Sequence, residues 1–199
     1  SAKLKYFIFN PIGKLRKAHF EMSYTNSMLF KPNLFNSNIA EAKIRLHSIN
    51  FFSSGISIRQ TIGNTFDYFE ARTNDLNHVF IFGPSLDFYW WNSTDYRNKF
   101  SGDIGFGYDA IPEFDSRSYQ IRWAPRFRVN NHLFMTYVIS HKLEHNNVGR
   151  AFDSNYTNLE DEDGNILFSK RKRKTITNVY KLSYVVNNEL SFDIKLRHY

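Results

Sequence analysis

The chain of 199 residues has no cysteine, which excludes a disulfide framework, thiolate chemistry and a cysteine-based metal site. No apolar run reaches the roughly 18 residues of a membrane-crossing helix. The opening Ser1-Ala2-Lys3-Leu4-Lys5-Tyr6 lacks the apolar core of a signal peptide. For strands that show only alternate side chains to lipid, the absence of such runs excludes nothing. Also missing are a nucleophile elbow, a phosphate-binding glycine loop and a zinc-protease motif, so no catalytic residue, metal or cofactor is assigned. The histidines are scattered: His141 and His145 share a strand face but stand about 13 Å apart, too far to hold one ion. A formal charge of +7 comes with no recognition helix, zinc-finger spacing or RNA-binding aromatic motif, so nucleic acid is not an expected partner.

What the chain does have is aromatic side chains and alternation. It carries 20 Phe and 12 Tyr, which a soluble domain would bury in one core and a membrane barrel would place on its outer surface and in interfacial girdles. The alternation is clearest at the end. Ile176, Asn178, Tyr180, Leu182, Tyr184 and Val186 lie on one side of residues 175–186, and Leu190, Phe192, Ile194, Leu196 and His198 continue it; Lys181, Ser183, Asp193, Lys195 and Arg197 occupy the other side. Asn187-Asn188 between them predicts a two-residue type I′ hairpin turn, because Asn tolerates positive φ. Similar alternation over residues 1–9, 17–24, 40–47, 52–59, 78–91, 100–109, 119–128 and 133–144 brings the total to about ten strands. Pro125 predicts a local bulge, and the glycines of 100–109 suit bends or the approach of an inward-folded segment.

The predicted connections alternate in length. Those at 10–13, 48–50, 92–96, 130–131 and 187–188 are short; those at 26–37, 62–77 and 145–172 are long, and 110–115 falls in the long series. In an up-and-down meander all the short turns then lie at one end, the asymmetry of outer-membrane barrels. The expected fold is all-β: an antiparallel up-and-down transmembrane β-barrel, residues 1–199 forming a single barrel domain that is part of a larger barrel and incomplete at both ends. Tyr199 shares parity with Asp193, Lys195 and Arg197 rather than with the apolar set, so closing strands are expected to follow.

The polar parity collects Lys43, Arg45, Arg122, Arg126, Arg128, Lys195 and Arg197 with Glu21, Glu41, Asp103, Glu144 and Asp193. These form either the exterior of a soluble protein or a water-filled, ion-paired lumen, and the seven cations are the candidate lumenal binding residues. In the run 170–174, Arg171 and Arg173 join that set. Lys170, Lys172 and Lys174 point outward at the rim, where they are candidate contacts for lipopolysaccharide phosphates. The alternatives are a solvated loop base or pairing with Glu160-Asp161-Glu162-Asp163. That acidic cluster lacks the spaced ligands of a calcium loop and reads as a plain turn.

Four stretches carry a family resemblance: Asn64-Thr65-Phe66-Asp67-Tyr68-Phe69-Glu70-Ala71-Arg72, Pro125-Arg126-Phe127-Arg128-Val129-Asn130-Asn131-His132-Leu133, Asn147-Val148-Gly149 and Leu196-Arg197-His198-Tyr199. Together they resemble the C-terminal barrel of the domain-of-unknown-function family 5916, over roughly residues 50–199. The resemblance implies a Bacteroidota outer-membrane protein and glycan-related biology. It also implies a preceding domain similar to family-nine carbohydrate-binding modules, which this sequence does not contain. It carries over no active residue. The expected function is an outer-membrane channel, uptake or docking component that meets outer-membrane lipid and lipopolysaccharide. One alternative is an outer-membrane enzyme, its site lumenal or loop-covered and using Glu21, Glu41 or Asp103. The other is a soluble ligand-binding β-sandwich.

Overall fold

The computed structural model describes residues 1–73, 76 and 78–199. The alternating segments become twelve strands: β1 Ala2–Ile8, β2 Leu15–Met28, β3 Phe35–Ser48, β4 Ser53–Ile62, β5 Thr65–Asp67, β6 Phe80–Phe82, β7 Leu86–Ser93, β8 Phe100–Ile111, β9 Ser116–Arg128, β10 Leu133–Arg150, β11 Phe168–Val185 and β12 Ser191–His198. A single 3-10 turn, Pro112–Phe114, is the only helical element among the described residues. Ten strands form one sheet in the order β1-β2-β3-β4-β7-β8-β9-β10-β11-β12, while β5 and β6 pair separately. Every neighbouring pair is antiparallel. The fold is thus an all-β antiparallel meander; its edge strands β1 and β12 each pair on one side only, with β2 and β11, and no pairing that would close the sheet into a barrel is present among the described residues.

Several predicted boundaries are corrected. The expected loop at 26–37 shrinks because its polar residues pair across strands. Asn26 faces Asn38, with Nδ2 donating to Oδ1 at 2.9 Å, and Ser27 faces Ser37. The expected strand 78–91 is split at Gly83-Pro84 into β6 and β7, which belong to different sheets. The irregular stretch at 62–77 contains β5, and residues 74, 75 and 77 of it lie outside the described residues. The segment 145–172 is mostly strand at both ends, as β10 runs to Arg150 and β11 starts at Phe168. Pro125 makes no bulge. The β9–β10 pairing lapses between Thr136↔Arg126 and Ile139↔Trp123 and resumes in the same register.

The hairpin turn at Asn187-Asn188 differs from expectation for a reason of parity. A two-residue loop pairs residues of opposite parity and would set the apolar face of β11 against the polar face of β12. The observed register instead pairs Tyr184 with Phe192 and Leu182 with Ile194, even with even, which requires an odd loop. Val186 N–H donates to the Leu190 carbonyl, and Asn187 Oδ1 accepts from the amides of Glu189 and Leu190. Neither Asn has positive φ. The same device recurs between β9 and β10: Val129 bonds Leu133, and Asn130 Oδ1 accepts from His132 and Leu133. Val-Asn-Asn-x-Leu is therefore a repeated three-residue turn in which an Asn side chain closes the loop.

The sheet is strongly curved. In a flat sheet β3 and β11, six places apart in the order, would lie about 29 Å apart at ~4.8 Å per strand. Yet the narrow β5–β6 hairpin touches both. Phe66 packs edge-on against Phe35 at the start of β3 (5.8 Å), and Phe80 stacks on Phe168 at the start of β11 (4.0 Å). Tyr68 Oη donates to the Phe35 carbonyl, and Asn158 Nδ2 donates to the Ala71 carbonyl. The hairpin therefore bridges the two walls at the end of the sheet that carries the long connections.

Among the described residues no second layer covers the sheet. The accessible surface is 13697 Å², against ~9,800 Å² expected for a compact protein of this mass. Among the described residues the buried apolar side chains are Ala18, Tyr68, Ala71 and Ala124. Large apolar residues of one parity stand exposed instead, including Met22 at 62% and Leu196 at 62%.

Candidate functional site

The strand registers can be followed residue by residue across the whole sheet, and they put all the predicted polar-parity cations on one face. One row runs Phe7–His19–Arg45–Gly55–Trp91–Gly105–Arg122–Ser140–Thr177. Lys43 lies in the next row, beside Glu21 and Ser57. Arg126 faces Thr136, and Thr136 leads to Lys181 and Lys195; Arg128 faces Phe134 and Arg197 faces Val179. The other face carries rows such as Tyr6–Phe20–Ile44–Ile56–Trp90–Phe106–Ile121.

On the polar face, carboxylates with little access to water are held by cations. Glu21 takes Lys3 (3.2 Å) and Lys5 (3.9 Å), and Glu41 takes Lys43 (2.6 Å) and Arg59 (3.3 Å). Asp103 takes Arg126 (3.1 Å), Arg122 (4.0 Å) and the hydroxyls of Ser93 and Tyr96. Glu144, its side chain 4% exposed, takes Arg173 Nε at 2.5 Å and Lys142 at 3.2 Å. The three carboxylates of the enzymatic alternative, Glu21, Glu41 and Asp103, are thus engaged by cations and sit on three different strands. Arg45, Arg128, Lys181, Lys195 and Arg197 have no carboxylate partner among the described residues, so this face carries a cationic surplus. Among the described residues no group of His, Asp or Glu is arranged to hold a metal ion.

In the basic run, Arg173 reaches Glu144 and Arg171 Nε donates to Asn147 Oδ1 at 2.9 Å, which puts both on the polar face. A bulge between Glu144 and Asn147 makes this possible, since it shifts the parity of β10. Lys170, Lys172 and Lys174 fall on the opposite parity, in line with Ile176. The expected alternative pairing of this run with Glu160-Asp161-Glu162-Asp163 does not form among the described residues, because the acidic turn is closed on itself. Asp161 Oδ1 accepts from the amides of Asp163 and Asn165, and Oδ2 accepts from Asn165 Nδ2.

The sequence profile described as Domain of unknown function (DUF5916) matches residues 1–199. The chain belongs to the DUF5916 family. The match covers its whole length, further than the expected 50–199. No curated protein sequence and no solved structure matches it.

Sequence reasoning missed part of the polar face of this DUF5916 domain. In β7 the polar parity is Asp87, Tyr89, Trp91 and Ser93. Two aromatic residues there were indistinguishable from the apolar partners Phe88 and Trp90. The β8 glycines do admit a close approach, but by Tyr89 of the neighbouring strand rather than by an inward-folded segment. The Tyr89 hydroxyl lies 2.6 Å from where a Cβ on Gly105 would stand.

The self-closed acidic turn makes a pH prediction. The Asn165 side-chain donor, followed by the Asn165 and Asp163 amides, holds the Asp161 carboxyl below the ordinary aspartate range. A depressed folded value stabilises the turn above the unfolded value, and that contribution disappears as pH falls through the folded value. Amide exchange at Asp163 and Asn165 is expected to be protected at neutral pH and to lose that protection in acid, only once the pH has fallen below the ordinary aspartate value of about 3.9. Equal protection at both pH values would contradict the role given to Asp161.

Proposed function

We propose that this DUF5916 domain is the wall of an outer-membrane β-barrel, its apolar face against lipid and its ion-paired face lining water, and that it acts as a channel, uptake or docking component. One observation carries the reading: a single curved sheet leaves a broad apolar face uncovered, while four carboxylates on its other face, Glu21, Glu41, Asp103 and Glu144, have little access to water. A water-soluble sheet hides its apolar side and displays its charges. The band has a fitting height. On β10 the apolar parity extends, interrupted by His141, from Leu133 to Leu143, about 34 Å along the strand. At a tilt of ~40° that is ~26 Å, close to the ~25 Å apolar band of such barrels. A soluble β-sandwich would need a second sheet on the apolar face, and the other sheet among the described residues has strands of only three residues. Lys174, which faces Leu143 at the edge of that band, and Lys172 and Lys170 beyond it suit the phosphates of lipopolysaccharide, and the cationic surplus of the inner face suits a water-filled passage.

The test is labelling of single cysteines in the chain reconstituted into vesicles. A cysteine at Ile194 is expected to react with a lipid-phase reagent and one at Lys195 with an aqueous reagent. Aqueous labelling of both, in a chain that stays soluble without detergent and shows no heat-modifiable gel mobility, would overturn the reading.

A further inference from the structure

We propose that the polar face carries a binding platform for a neutral oligosaccharide, in which Trp91 and Tyr89 stack on sugar rings while Asp87, Asp109 and Arg59 bond their hydroxyls. The proposal deepens the function proposed above, since it takes the polar face as the one open to solutes. Three features of β7 and its neighbours carry it.

The first is that both rings are laid down on backbone. Trp91 faces Gly55 on β4 and Gly105 on β8. A Cβ on Gly55 would stand 2.5 Å from the indole Nε1, 2.7 Å from Cε2 and 2.9 Å from Cζ2, a clash for any residue but glycine. Tyr89 leans across β8 in the same way: its hydroxyl is 2.6 Å from a Cβ on Gly105, and its ring is 3.5 Å from one on Gly107. Glycine at these positions gives the rings a floor, so their other surfaces are directed away from the sheet.

The second is that neither ring is used by the protein. Among the described residues the other aromatics of this face are engaged: Phe7 stacks on His19 at 4.3 Å, and the Arg128 guanidinium lies 5.2 Å from the centroid of Phe134. Tyr89 and Trp91 have no ring or cation partner of this kind among the described residues. Two residues apart on one strand, they present neighbouring platforms about 7 Å apart along it.

The third is the polar setting. Asp87 and Asp109 face each other across β7 and β8. Neither has an ion pair among the described residues, although like charges directly opposite are unfavourable. Vicinal sugar hydroxyls would donate to both carboxylates, with Arg59, opposite Asp87 on β4, donating in return. Beside Tyr89 these groups, with Glu41 that pairs with Arg59, line a cleft of about 190 Å³ that stops short of Trp91, smaller than the roughly 300 Å³ of pockets for drug-sized ligands and suited to one ring of a longer chain. The three carboxylates, Asp87, Asp109 and Glu41, disfavour a polyanion at this spot, and the row of hydrogen-bonding groups disfavours a purely apolar ligand.

The experiment is calorimetric titration of the full chain, folded in detergent, with maltohexaose, cellohexaose and xylohexaose, and with dextran sulfate as the polyanionic control. At least one neutral hexasaccharide is expected to bind. Trp91→Ala and Tyr89→Ala should each weaken it tenfold or more, and Gly55→Ala should weaken it by lifting the indole from its floor. Trp123→Phe, on the opposite face, should leave affinity unchanged. Asp109→Asn, which removes no packing, provides a reading if an aromatic variant fails to fold, and is expected to weaken binding at least threefold. No binding of any neutral sugar, binding of dextran sulfate alone, or affinity indifferent to both Trp91→Ala and Asp109→Asn overturns the platform. A chain that binds sugar through Trp91 but stays soluble without detergent overturns the barrel and keeps the platform. An inserted chain that binds none of the sugars does the reverse.

Discussion

Ile104→Arg is expected to cost roughly 2–4 kcal/mol of folding free energy in a bilayer, the penalty of a cation at the midplane of a barrel wall. Ile104 is 43% exposed on the apolar face of β8, between Asn92 of β7 and Trp123 of β9. With Phe100 and Tyr108 beyond it on either side, it sits near the middle of the band. An arginine there has about four residues of strand in either direction before the first polar rim, too far to reach water with its own stem. Lys195→Leu, on the other face, should cost no more than ~0.5 kcal/mol, the usual range for a surface change. Denaturant titration of vesicle-inserted protein, followed by heat-modifiable mobility, gives both values. An Ile104→Arg variant as stable as its parent would mean that water, not lipid, covers this face.

The second large effect is expected at Glu144. Its carboxylate accepts from Arg173 Nε at 2.5 Å and Nη2 at 3.0 Å, and lies 3.2 Å from Lys142. Replacing it with glutamine keeps the shape, removes the charge and turns one acceptor into a donor aimed at donors. The expected cost is ~1.5–3 kcal/mol, the range for hydrogen bonds to charged groups. It should stay below the ~3–5 kcal/mol of a fully buried broken pair, because the Arg173 side chain is 51% exposed and can turn to water. Adding Arg173→Gln should recover part of the loss, since the two residues share one interaction. Asp193→Asn, whose exposed carboxylate meets only the Ser183 hydroxyl among the described residues, should change stability by less than ~0.5 kcal/mol. Comparable losses at Glu144 and Asp193 would show that the ion pairs of this face contribute little.

The legibility of the fold followed the chemistry of the two faces. Where one side is apolar and the other charged, as in Ala40 to His47, alternation located the strand and assigned both faces. Where both sides are polar, the strand continues but the signal stops. Thus Asn26 and Ser27 and the stretch of β10 past Glu144 looked like loop. The turn chemistry of Asn187-Asn188 pointed to a two-residue loop, while the apolar sets on either side already demanded an odd one; packing of faces outranked turn propensity. The cations of the candidate site were legible because charge marks the polar parity. Tyr89 and Trp91 were not, because an aromatic ring carries no such mark, and the glycines that make room for them lie on other strands, at 55, 105 and 107.

The β5–β6 hairpin has a mechanical meaning. A lone sheet of ten strands resists flattening only through its own twist. With Phe66 seated against one wall and Phe80 against the other, it behaves as an arch with a tie-beam. To spread the arch at that rim, one of the two aromatic joints must be pulled apart, whereas the opposite rim, where the Val-Asn-Asn-x-Leu turns lie, is tied only locally among the described residues, as where Arg97 of one turn lies 3.4 Å from the Phe51 ring of the next.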